Sequence, residues 1–384
     1  MKSHSMFKAL LSLNLNSLPS PTPKCNPFLH HYSFTFPLKF YTTTSDPKSF
    51  TVSYLINNFG FSPESALKAS NCVRFKTQKK PDSVLTFFRN HGFSDPDIYS
   101  VIKKEPWLLS CDIHKRVLPK FEFLSSKGAS RSDIVRAVMV NPRFLKSSLE
   151  NCIIPAYELV NGFLQSEKKT FASIVGCPSL LYSDSVAFNI NYLVDNGVAS
   201  LNIYRILRLR PFILCASDLK NTVEELKCLG FDPSKSYFAD AMLAKRATSE
   251  LQWRDKVENF KKWGWSDETI LEAFKRQPMC MLTSSQKVDK VMRFWINKLG
   301  WDSSHLVKAP GIFGYSLEKR IIPRASVINY LLSKGLRKES ASFLTPFCMT
   351  DESFLEKYVT CFDDEEASQL LKLYQENMDL QDCK

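Results

Sequence analysis

The 384-residue chain has no stretch of 18 uninterrupted apolar residues, so no membrane-spanning helix is expected. It has no Cys-x-x-Cys pair, and its 11 cysteines are an odd number. His91, His114 and His305 stand far apart with no Cys or His at ligand spacing, which argues against both a disulfide framework and a zinc site. Cys111, Cys177, Cys215 and Cys280 lie among Leu and Phe and read as small core hydrophobes in a reducing compartment. The phosphate-binding and metalloprotease patterns G-x-x-x-x-G-K-[ST], G-x-G-x-x-G and H-E-x-x-H are missing. Gly311 and Gly314 form a lone G-x-x-G, and the acidic run 363–366 opens a predicted helix, where carboxylates suit the macrodipole. The expectation is a non-enzymatic chain without cofactor or metal.

Acidic residues are also missing from residues 1–45, which hold twelve Ser/Thr, five Pro and Lys2, Lys8, Lys24 and Lys39. That composition cannot bury a core and suits an organelle import signal. Lys8 and Asn14 interrupt the apolar run a secretory signal needs. The reading favours a mitochondrial signal, while the lack of Arg leaves chloroplast import open. What is abundant is positive charge. The net charge is +12, although residues 351–384 hold ten acids against three lysines. Residues 46–350 therefore carry +15, an excess suited to a polyanion, because each phosphate contact releases condensed counterions.

With 12 glycines in all, their placement is informative. Nine keep one beat: Gly60, Gly92, Gly128, Gly162, Gly197, Gly230, Gly264, Gly300 and Gly335, in steps of 32 to 36. Pro106, Pro142, Pro178, Pro211, Pro278, Pro310 and Pro346 keep the same beat, with one unit lacking its proline near Lys245. Six glycines stand in Gly-x-Ser or Gly-x-Asp, with Ser62, Ser94, Ser130, Asp232, Ser266 and Asp302. Glycine closes a helix in the left-handed conformation, and the Ser or Asp caps the next helix. Pro63 and Pro233 suit the first helical position. Each glycine is thus expected to mark a corner between helices. The phase proline ends the following helix and starts a short apolar turn. Pro119, Pro155 and Pro323, 13 residues after a phase proline, are expected to open another helix. The predicted fold is an all-α superhelical solenoid of about nine triple-helical repeats of roughly 35 residues. Residues 46–350 form the array, and residues 351–384 an acidic capping helix and tail.

Pro142-Arg-Phe-Leu…Ile153-Ile-Pro155…Gly162 and Pro310-Gly-Ile-Phe…Ile321-Ile-Pro323…Gly335 resemble the mitochondrial transcription termination factor (mTERF) family, particularly its plant branch. So does the entry segment from Phe50 through Gly60-Phe-Ser-Pro, and the likeness spans roughly residues 50–360. The resemblance implies a left-handed superhelix whose concave basic face takes double-stranded nucleic acid, acting in organelle transcription, including termination. The alternatives are an RNA-binding factor for intron splicing or ribosome assembly, and a protein-binding α-solenoid scaffold. The implied partners are double-stranded DNA, structured RNA as the alternative, and organellar transcription or splicing proteins; the chain itself is read as a monomer. Tetratricopeptide and pentatricopeptide repeats share the period but are two-helix units without the paired prolines.

Basic residues recurring in phase are the candidate phosphate contacts, since each repeat presents equivalent positions to one surface. Just ahead of the phase prolines stand Lys103, Lys104, Arg136, Arg208, Arg210, Lys275, Arg276 and Lys308. Lys245 and Arg246 take that place in the unit without proline, and Arg143, Arg320 and Arg324 beside other prolines form a second rank. The helix dipole also gathers cations at these ends. Such contacts position a duplex without reading it.

Overall fold

The computed structural model describes residues 47–337 and 342–379, so the expected import segment lies outside the described residues. Every regular element among the described residues is helical, and the protein is an all-α helical-repeat solenoid. Two compact units divide the described residues, 47–220 and 221–379.

The repeat corner is local chemistry. At the end of the Lys79–Asn90 helix, Gly92 takes φ 92° and Phe93 N–H donates back to the Phe88 carbonyl at 3.1 Å. The Phe93 ring folds into the core, and Ser94 then caps the Asp95–Lys104 helix through a reciprocal pair with Asp97. Ser130 caps the Arg131–Val140 helix through the same reciprocal pair with Asp133, whereas Ser62 and Ser266 only accept from the N–H groups of Ser65 and Thr269. Eight of the nine phased glycines have φ between 57° and 92°.

Gly162 is the exception. The Ile154–Leu164 helix runs through it and ends at Gln165, which takes the left-handed conformation at φ 47°. The cap, Ser166, stands four residues past the glycine rather than two, and Leu164 between them is a buried helix position. Asp232 and Asp302 also depart from expectation. Each accepts from the Ser two residues on, Ser234 or Ser304, and so forms a turn of its own. The next helices start later, at Ser236 and Ser304, and Pro233 sits in a turn.

Six phase prolines begin a tight 3-10 turn: Pro106–Ser110, Pro142–Lys146, Pro178–Leu181, Pro211–Cys215, Pro278–Leu282 and Pro310–Gly314. Each buries two adjacent side chains, such as Leu108 and Leu109, or Phe144 and Leu145. Where the proline is missing, one helix, Ser236–Ala247, runs on and buries Met242 and Leu243 instead. Pro119, Pro155 and Pro323 occupy the second position of their α-segments, but a helical turn already precedes each. Ahead of Pro155 and Pro323 it is a π-helical turn, closed by Ile153 N–H to the Ser148 carbonyl and Ile321 N–H to the Ser316 carbonyl. Widening the ladder there lets a helical rod pass a residue that cannot donate and whose ring crowds the preceding turn.

Cys111, Cys177 and Cys280 are buried and Cys215 half-buried; all are free thiols, with the Cys177 and Cys215 sulfurs 3.9 Å apart. In the 221–379 unit the Asp364–Asp379 helix lies on Ile322–Ser333, with Leu370 and Tyr374 against Val327, Ile328 and Leu331. Asp363 caps that helix by accepting from Glu366 N–H at 3.0 Å.

Candidate nucleic-acid interface

Helices that stop before a phase proline bring their basic residues to a C-terminal turn, and the buried face of each helix decides where these point. In Asp95–Lys104, Ser200–Leu209 and Asp267–Arg276 the core positions are Val101/Ile102, Ile206/Leu207 and Ala273/Phe274. Lys103, Arg208 and Lys275 follow those pairs and are all exposed. Lys275 stretches across the Gly230 corner, where an added Cβ would come within 3.1 Å of its Nζ. Arg208 leans on the Tyr204 ring. Lys169 and Arg208, donating to the Tyr204 hydroxyl, hold it below the ordinary tyrosine range. Arg210 and Lys308 are exposed as well, and Lys104 donates to the Met139 carbonyl of the next repeat.

Other predicted contacts are held by carboxylates. Arg136 pairs with Asp133 one turn back at 2.5 Å, and Arg276 grips Glu272 through Nε and Nη2 at 3.0 and 2.8 Å. Lys245 pairs with Glu225 at 2.5 Å over the Trp253 ring, and Arg246 is half-buried. Of the two C-terminal candidates, Arg324 requires correction and Arg320 is half-buried. Arg324 is 0% exposed, donates to the Pro346 and Met349 carbonyls and to Asp351, and lies over the Phe354 ring. Arg320 donates to the Phe347 and Met349 carbonyls and covers Tyr315. Arg320, in the Leu317–Ile321 turn, and Arg324, in the Ile322–Ser333 helix, both fasten this stretch to residues 346–351. Arg324 cannot reach a phosphate.

In the 47–220 unit several cations line one groove. A groove of about 810 Å³ opens between the Gly60 corner, the end of Asp95–Lys104 and the turns at Pro106 and Pro142. Lys103, Lys104 and Arg143, predicted from the sequence, line it together with Lys68 and Lys146, which were not. Its floor includes Trp107, over whose ring lie Arg116 and Lys146. The one carboxylate lining it is Glu105, which is 4% exposed and meets Lys146 Nζ at 2.6 Å and Arg143 Nε at 3.4 Å. Five cations against one carboxylate leave an excess of four positive charges in a space lined by successive repeats. A signal for Lys146 was present: Arg143 and Lys146 flank the buried Phe144-Leu145 pair, so both face away from the core. Lys68 lies outside the phase-proline frame and carried no such mark.

A family model described as mTERF matches residues 85–245 and 183–355, more than half of the chain. The chain belongs to the mTERF family. Over 92 residues this mTERF protein is 30% identical to transcription termination factor MTERF15, mitochondrial, of Arabidopsis thaliana, covering 24% of the chain and 20% of that protein. Over 228 residues it is 22% identical to transcription termination factor MTERF8, chloroplastic, of the same plant, covering 58% of the chain and 45% of that protein. The match spans less than half the length of each of these two relatives.

Proposed function

We propose that this mTERF protein binds nucleic acid in an organelle and regulates transcription there, including termination, with double-stranded DNA as its ligand. The observation that carries the reading is the groove in which Lys68, Lys103, Lys104, Arg143 and Lys146 face one carboxylate. Exposed Arg208, Arg210, Lys275 and Lys308 extend the supply of phosphate contacts along the repeats. Family membership supports the reading, and the two relatives' names supply both termination and the organelles. The mitochondrion is the assigned compartment, with the chloroplast as the alternative.

The test is a salt titration of binding to organellar duplex. Engagement of the five groove cations gives a log–log slope of about −4 to −5, from roughly 0.9 per phosphate. Flat salt dependence, or no binding at low salt, removes the nucleic-acid reading. Crosslinking in the organelle then separates ligands: enrichment of intron or ribosomal RNA over DNA would replace transcription by splicing or ribosome assembly.

A further inference from the structure

Glu105 stands out because it places a negative charge at the heart of a cationic groove. The residue is buried, 4% exposed, and sits in the short link between the Asp95–Lys104 helix and the Pro106 turn. Its two oxygens are divided between two cations of the next repeat, Lys146 to Oε2 and Arg143 to Oε1. A buried carboxylate keeps its charge when charged partners compensate the lost hydration, and both partners here come from outside its own repeat. The partners themselves are far from buried: the Arg143 and Lys146 side chains are 71% and 52% exposed. Arg143 approaches through Nε, one of five N–H donors on a guanidinium, and Lys146 has three donors, so each retains donors for a second anion. Lys146 is further restrained by the Trp107 ring beneath it, 5.6 Å from Nζ, and Arg116 reaches the Lys146 carbonyl at 3.5 Å.

We propose that Glu105 is a positioning residue that pre-sets Arg143 and Lys146 at the groove wall, where with Lys68, Lys103 and Lys104 they hold successive phosphates of one strand. This rests on the nucleic-acid reading and assigns its first-unit contact. Free Lys and Arg side chains lose rotamer freedom when they close on a phosphate; two that are already fixed lose less. Glu105 also couples the 3-10 turns of neighbouring repeats, so that the spacing of the two groove walls is set before the strand arrives.

The sign of one substitution separates this from simple charge. Glu105→Gln keeps size and shape and makes the groove more positive by one. Plain electrostatics therefore predicts tighter binding, whereas a positioning role predicts weaker binding. The measurement is affinity of the full chain for a duplex oligonucleotide across a salt series, beside a thermal unfolding curve for each variant. The expected result is a several-fold weaker Glu105→Gln protein whose log–log slope is shallower by up to about 2 units, the share of two phosphates. The Arg143→Ala/Lys146→Ala double variant, which removes both cations and leaves Glu105 unpaired, should lose at least as much. Adding Glu105→Gln to that double variant should cost nothing further. If Glu105→Gln unfolds, the double variant decides: an unchanged slope there overturns the proposal. Tighter binding or an unchanged slope in a folded Glu105→Gln protein also overturns it. A wild-type chain that binds no duplex at any salt refutes the underlying nucleic-acid reading instead, and the two failures are read from different samples.

Discussion

Gln165 is the one non-glycine residue with positive φ among the described residues, and a side chain held there costs about 1–2 kcal/mol. Three positions upstream, Gly162 occupies an exposed helical site where an added Cβ meets nothing within 4 Å. A helical glycine costs roughly 0.5–1 kcal/mol relative to alanine. Gly162→Ala is therefore expected to stabilise the 47–220 unit by that amount. Gln165→Gly should stabilise it by less than about 1 kcal/mol, since part of the relief is returned to the freer unfolded chain. Gly197→Ala, at φ 76° with equally open surroundings, should destabilise by about 1 kcal/mol. Denaturant midpoints for the three variants decide the matter. A loss from Gly162→Ala would mean that this glycine marks a corner after all.

At the scale of elements, Arg143 and Arg324 present the same local sequence, an Arg directly after a repeat proline, and meet opposite fates. Pro142 starts a surface 3-10 turn, so Arg143 projects outward and is 71% exposed. Pro323 sits inside a helical rod whose flank is covered by residues 346–359, so Arg324 is enclosed and clamps two carbonyls and Asp351. Arg324→Met should destabilise the 221–379 unit by roughly 2–3 kcal/mol, the scale of hydrogen bonds to a charged group. It should leave the salt slope of binding unchanged. A large drop in slope with intact thermal stability would restore Arg324 as a phosphate contact. The pair also shows what a sequence can carry. Corners, caps and proline turns are made by residues within five or six positions of one another, so their period is readable by eye. Whether a proline-adjacent arginine is free depends on what packs on it from 22 to 27 residues away, and the local pattern is silent there. The same holds for Lys68, which joins the groove through the stacking of repeats.

For the molecule as a whole, phosphate contacts made by separate repeats are expected to sum, because counterion release is counted per phosphate and distant sites act independently. Arg208→Glu/Arg210→Glu in one unit and Lys275→Glu/Arg276→Glu in the other should each weaken duplex binding, and the fourfold variant should lose the sum of the two in log affinity. The contributions within a pair differ. Arg276 is already occupied by Glu272 through two hydrogen bonds, whereas Lys275 has no carboxylate partner among the described residues. An exposed pair of that kind is worth up to about 1 kcal/mol, which a phosphate must displace before it gains anything. Lys275→Ala should therefore cost more affinity than Arg276→Ala, although sequence position makes them look alike. If all four reversals leave binding intact while the groove variants abolish it, recognition is confined to the 47–220 unit. If function in the organelle also survives the fourfold reversal, these exposed cations serve solubility, and the repeats beyond the groove act as a protein-binding scaffold.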